Sequence, residues 1–195
     1  LRLVGSEMCI RDRYENFLRR CGKIDFDDML VFTYELLSER PDILKMWQNK
    51  FRYILIDEFQ DINMIQYDIV KLLAGERQNV FSVGDDDQSV YGFRGAAPAI
   101  MKKFPEDFHG TVIEYLNVNY RCSYDIVECS KRIIQNNRDR YEKQLRSAFA
   151  AGQSDRVHIV KTDSMTEQNK KIIDRITELN RAGIPYREMA IIFRT

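Results

Sequence analysis

The 195 residues are 44% apolar and 31% charged, with 30 basic and 30 acidic side chains, a balance that excludes intrinsic disorder and marks an ordinary globular chain. No apolar run approaches the roughly 18 residues of a membrane span, so no membrane association is expected. The zero net charge conceals a split: residues 1–110 hold 15 Lys/Arg against 19 Asp/Glu, and residues 111–195 hold 15 against 11.

The first thirteen residues, LRLVGSEMCIRDR, have no starting Met, no signal-peptide pattern and no clear periodicity. They are read as a non-native leader and left out of the fold. From Asp25, a plausible N-cap, the run DFDDMLVFTYELLSER spaces Phe26, Met29, Leu30, Thr33, Leu36 and Leu37 as a helix does. YILIDE (53–58) reads as a strand. INMIQYDIVKLLAG then repeats Ile62, Ile65, Ile69, Leu72 and Leu73 at helical spacing, with Gly75 as its stop. Further strands are expected at VFSVGD (80–85), TVIEYL (111–116), VHIVKT (157–162) and MAIIFR (189–194). Helices capped by Ser123 and ended by Gly183 lie among them. Strands alternating with helices imply an α/β fold with parallel sheets and flanking helices, and continuous apolar runs such as YILI suit strands buried on both faces. A boundary falls near FHGT (108–111).

Four cysteines form no disulfide framework: Cys122 and Cys129 would sit about 10 Å apart along a helix, and Cys9 and Cys21 lack a metal spacing. Reduced thiols in a cytoplasmic protein follow. Six bases between Lys131 and Arg146 suit either a polyanion or a solvated helix face.

Ligands of open α/β sheets sit outside the carboxyl ends of the strands, where YILIDE places Asp57 and Glu58. An Asp there can hold Mg²⁺ for phosphoryl transfer and an adjacent Glu can activate water. A carboxylate capping the next helix is the plainer alternative. The next strand runs into VGDDDQSVYGFRGA, where Gln88 can hydrogen-bond a phosphate oxygen or the attacking water. In the same glycine-flanked loop, Tyr91, Phe93 and Arg94 combine ring faces with a cation, as stacking platforms for single-stranded bases do. Burial of those rings in the core is the competing reading. Arg121, in LNVNYRCS, follows a strand and precedes a helix, the position of an arginine finger.

Taken in order, DFDDML, LIDEFQDIN, VGDDDQSVYGFRGA and LNVNYRCS resemble the UvrD/Rep/PcrA family of superfamily 1 DNA helicases, and the likeness runs from about Tyr14 to Thr195. It implies parts of two RecA-like P-loop NTPase lobes: residues 14–110 as the C-terminal part of the first, with the end of an insertion, and 111–195 as the N-terminal part of the second. It also implies an ATP-dependent 3′–5′ motor on single-stranded DNA and at junctions of single- and double-stranded DNA, serving repair or replication. By the resemblance, Asp57 and Glu58 handle Mg²⁺ and water, Gln88 and Arg121 contact ATP, and Tyr91, Phe93 and Arg94 contact DNA. Phe93 stands where many members carry Trp. A helicase–nuclease subunit and a non-catalytic DNA-binding module are the alternatives.

No GxxxxGK[ST] loop is present; the one Gly-Lys pair, Gly22-Lys23, is followed by Ile24. The purified 195-residue chain is therefore expected to bind ATP poorly and not to hydrolyse it. Turnover in the presence of single-stranded DNA would contradict this.

Overall fold

The computed structural model describes residues 6–92, 99–137, 140–152 and 157–193. In chain order the elements are α1 (Ser6–Arg20), α2 (Phe26–Glu39), α3 (Pro41–Lys50), β1 (Ile54–Ile56), α4 (Met64–Ala74), β2 (Val80–Ser82), α5 (Ala99–Asp107), β3 (Val118–Asn119), α6 (Tyr124–Ile134), β4 (Arg146–Ser147) and α7 (Met165–Arg181). Two compact units divide the chain. The first comprises residues 1–117 and 134–144, and the second residues 118–133 and 145–195. The α/β class expected from the sequence is what the structure has, with parallel strand pairs flanked by helices.

In the first unit β1 and β2 pair in parallel, with Ile54, Leu55 and Ile56 opposite Val80, Phe81 and Ser82. α4 makes the connection, so the three elements form a βαβ unit. Both ends of α4 are set by local chemistry. Asn63 and Gln66 form a reciprocal capping box, and Gly75 ends the helix. α2 begins the same way, with Asp25 accepting from the Asp28 amide and Asp28 from the Asp25 amide. Gly75 has φ +50° and ψ −145°, a region open to glycine alone. A Cβ there would also lie 2.6 Å from Nε2 of Gln48, whose amide donates to the Leu72 carbonyl at 2.8 Å. Gly75→Ala should therefore cost about 1–3 kcal/mol, measured by urea unfolding of the chain.

The core of this unit is aromatic. Phe59, Tyr67, Ala74, Ile100, Phe104 and Phe108 are buried together, with Ile54, Ile56 and Val80 packed against them. Phe59 meets Phe104 edge-to-face with centroids 5.3 Å apart, and Phe104 stacks on Phe108 at 4.5 Å. Burial of β1 on both faces is not what the structure shows. Ile54 and Ile56 turn to the core, whereas Leu55 and its partner Phe81 are 75% and 60% exposed, because among the described residues no element packs on their side. The stripe of α2 is similar. Leu37 is buried, but Phe26, Met29 and Leu36 stay exposed.

The second unit is built on α6, whose Val127 is buried, and on the parallel pair β3–β4. Ala148 donates to the Asn119 carbonyl at 2.8 Å, and the Ser147 hydroxyl donates to the Cys122 carbonyl at 2.9 Å. α7 is N-capped by Ser164, which accepts from the Glu167 amide, and it closes at Gly183 with φ +98°. Ser123 precedes α6 as expected, but its buried hydroxyl makes no hydrogen bond. The expected strands at 111–116, 157–162 and 189–194 are not formed within the described residues. Their apolar side chains, Leu116, Ile159 and Ile192 among them, lie open to solvent with no neighbouring strand to complete a ladder. Cys21, Cys122 and Cys129 are free thiols. α1 begins at Ser6, inside the stretch set aside as a leader.

Candidate nucleotide site

The parallel ladder continues past the assigned strands. Val83 donates to the Ile56 carbonyl at 2.8 Å and Phe59 to the Val83 carbonyl at 2.9 Å, so the two strand ends stay side by side as they enter their loops. Asp57 and Glu58 leave β1 at this point, both exposed. Asp57 Oδ1 accepts the Glu58 amide at 3.0 Å. Glu58 is left-handed, with φ 51° and ψ 43°, a conformation that costs a non-glycine residue about 1–3 kcal/mol and persists only where surrounding contacts impose it. Those contacts are visible. Asp61 donates to the Glu58 carbonyl at 2.9 Å, and Gln60 Nε2 donates to Glu58 Oε2 at 2.7 Å. After this turn Phe59 drops into the core, 2% exposed, while Glu58 stays at the surface.

Gln60 is 1% exposed. Its amide oxygen accepts the Asp85 backbone N–H at 2.9 Å, which ties the loop after β1 to the loop after β2. Gly84 makes the approach possible. A Cβ there would lie 2.9 Å from Gln60 Oε1 and 3.1 Å from the Phe59 Cβ. Beyond Gly84, a short 3₁₀ turn over Asp86–Gln88 exposes Gln88, whose Nε2 donates to Asp85 Oδ2 at 2.8 Å. The sequence reading missed Gln60. A lone glutamine between two acids carries no signal by spacing, and only the buried position reveals its part.

The three acids at 85–87 are held by cations from residues 140–143. Arg140 forks onto Asp87 through Nε at 2.8 Å and Nη2 at 2.6 Å. Lys143 Nζ contacts the carboxylates of Asp85 and Asp86 and reaches Asp87 at 3.0 Å. The Tyr141 amide donates to Asp86 at 2.7 Å, and its hydroxyl to the Met101 carbonyl at 3.1 Å. Neither a polyanion surface nor a solvated face therefore describes Arg140 and Lys143, whose charges are committed internally. Burial alone would raise the carboxyls of Asp85 and Asp87. Hydrogen bonds from Lys143 and Gln88 to the former, and from Arg140 and Lys143 to the latter, outweigh it and hold both low. Burial would likewise lower Lys143, but its three carboxylate partners raise it.

Carboxyls held low contribute fully above their ordinary 3.8 and lose that contribution as pH falls through the lower folded values. The raised lysine contributes fully below 10.5 and loses its share as pH climbs beyond that. Lys143→Met should cost about 1–2 kcal/mol at neutral pH, less than a fully buried pair because Asp85 keeps 39% of its side chain exposed. It should also flatten the loss of stability below pH 3.8. Urea unfolding across pH measures both.

Asp57 suits Mg²⁺, which takes oxygen ligands from one or two carboxylates and completes its octahedron with phosphates and water. It is an exposed carboxylate immediately beyond the end of β1, with Oδ1 accepting the Glu58 amide. The carboxylates of Asp85, Asp86 and Asp87 lie within 4.8 Å of one another, but the Lys143 ammonium already sits among them.

Tyr91, three positions after Gln88, is 39% exposed and makes contacts within the fold. Phe93 and Arg94 lie outside the described residues. Arg121 belongs to the second unit and is exposed; its amide and that of Cys122 donate to Asn119 Oδ1 at 2.9 and 2.8 Å. This side-chain-capped turn carries the chain from β3 toward α6. The structure thus sets Asp57 and Glu58 just past β1 and Gln88 in the loop after β2 in one unit, and Arg121 two residues after β3 in the other.

An α/β unit with two acids and an amide beyond neighbouring parallel strand ends carries polar groups at the edge where open α/β sheets bind ligands. Residues 7–109 match the UvrD/REP helicase N-terminal domain, and residues 114–195 match the UvrD-like helicase C-terminal domain. The chain belongs to the UvrD/Rep helicase family. It is 39% identical over 184 residues to YjcD of Bacillus subtilis, covering 94% of this chain and 24% of that protein. It is 37% identical over 182 residues to the ATP-dependent DNA helicase PcrA of Staphylococcus epidermidis and to that of Staphylococcus aureus, covering 93% of this chain and 25% of each. The chain spans about a quarter of the length of these relatives.

Proposed function

We propose that this chain is part of a cytoplasmic, ATP-dependent DNA helicase that moves 3′ to 5′ on single-stranded DNA and opens duplexes at single-strand junctions, in repair or replication. The observation that carries the reading is the hydrogen-bonded pairing of two loops at adjacent strand ends, one bearing Asp57 and Glu58 and the other Gln88. Asp57 would hold Mg²⁺, and the ion would supply positive charge against the terminal phosphates. Glu58 accepts the proton of the water that attacks the γ-phosphorus. Gln88 offers its amide to a γ-phosphate oxygen or to that water, exchanging a bond that Asp85 otherwise holds. Arg121 supplies the finger cation that steadies charge developing in the transition state.

Tyr91 and Phe93 supply ring faces for bases, and Arg94 a cation for the strand. Tyr91 and Gln88 share one short loop, so a change in phosphate contact reaches a base contact three positions along the chain. The short path is what lets hydrolysis drive a step along DNA. The test is steady-state ATP hydrolysis by the full-length protein with and without single-stranded DNA, together with unwinding of duplexes carrying a 3′ or a 5′ tail. Stimulation by DNA and preference for the 3′ tail are expected. Absence of stimulation would overturn the motor reading, and preference for the 5′ tail its polarity.

A further inference from the structure

We propose that Gln60 is a positioning residue for ATP hydrolysis, one that sets the water-activating carboxylate and the phosphate-facing amide against each other; the role rests on the functions assigned above to Glu58 and Gln88. The groups form a continuous chain of hydrogen bonds. Gln88 Nε2 donates to Asp85 Oδ2 at 2.8 Å, the Asp85 N–H to Gln60 Oε1 at 2.9 Å, and Gln60 Nε2 to Glu58 Oε2 at 2.7 Å. An uncharged amide satisfies both ends at once, accepting from a backbone N–H through its oxygen and donating to a carboxylate through its nitrogen.

Three further features bear on the same group. Gln60 is 1% exposed, and a buried amide with both ends bonded is held in one orientation. Gly84 leaves room for its oxygen, where a Cβ would intrude to 2.9 Å. The Gln60 backbone carbonyl accepts the Ser89 hydroxyl at 3.4 Å, so the residue after Gln88 is tied to the same point. Glu58 is left-handed, and the bond from Gln60 reaches its carboxylate directly. Loss of the amide would free that side chain to leave the attacking position, while Asp57 and the bond from Gln88 to Asp85 keep their own contacts.

In the full-length protein, Gln60→Met keeps the length of the side chain and removes both bonds. Its kcat for DNA-stimulated hydrolysis should fall about 10- to 100-fold, while KM for ATP stays within about twofold. Combined with Glu58→Gln, it should add little to the loss caused by Glu58→Gln alone, because both changes disable one unit. A thermal transition close to that of the unaltered protein verifies folding. Should Gln60→Met lose that transition, Gly84→Ala displaces the same amide with a single methyl and should give the same loss in kcat. Unchanged kcat in a folded variant, a defect confined to KM, or losses that multiply in the double variant would each overturn the role of Gln60. An unaltered protein without DNA-stimulated hydrolysis would overturn the functional reading and the positioning role with it. An active one with an indifferent Gln60 would overturn the positioning role alone.

Discussion

Glu58→Gln in the full-length protein should lower kcat for ATP hydrolysis by about 10²- to 10⁴-fold, the range that a positioned general base contributes, and should leave ATP binding intact. The substitution is isosteric, so the left-handed turn and the core beneath it keep their shape. What disappears is the negative charge, which the proposed role needs in order to take a proton from water. Position supports this assignment over a capping role. The next helix, α4, is already capped by Asn63 and Gln66, and Glu58 bonds to Gln60 instead. Steady-state hydrolysis paired with binding of a fluorescent nucleotide separates the two effects. A kcat near that of the unaltered protein would remove Glu58 from the chemistry, and a parallel loss of binding would make it a ligand rather than a base.

The largest effect on stability should come from Phe59→Ala, about 3–5 kcal/mol. Phe59 is 2% exposed and packs edge-to-face on both Tyr67 and Phe104. It also stands between Glu58 and Gln60, so the cavity would form directly under the candidate site. Phe59→Leu, which keeps most of the volume, should cost about 1 kcal/mol. Urea unfolding of the 195-residue chain measures both. Equal losses for the two would show that lost volume does not account for the cost and that the edge-to-face contacts of the ring carry it instead.

Much of the first unit is legible from residue order because its signals are local. Asp25 caps α2, Gly75 ends α4, and the two apolar runs ending in acids become β1 and β2 with the acids at their carboxyl ends. Each follows from chemistry within a few residues. The failures lie where pairing is distant. TVIEYL, VHIVKT and MAIIFR have the composition of strands, but a strand needs a ladder. The described residues supply none, so the runs stay extended and exposed. The two-residue strands β3 and β4 depend on contacts between positions 118–119 and 146–147 that no short pattern announces. Arg140 and Lys143 read as surface charge because their partners, Asp85 to Asp87, lie more than fifty residues earlier. Gln60 was silent for a related reason, since its neighbours Glu58 and Gln88 drew attention by their own chemistry.

The path of the chain bears on how the protein can be dissected. Residues 134–144 return to the first unit after α6 has begun the second, and they carry Arg140 and Lys143. A cloning boundary drawn between the two family matches, at residues 110–113, would therefore strand three carboxylates without their cations. The severed front half would carry Asp57, Glu58 and Gln88 intact in sequence, yet with the Gln88 loop tied to Gln60 and cut off from Arg140 and Lys143.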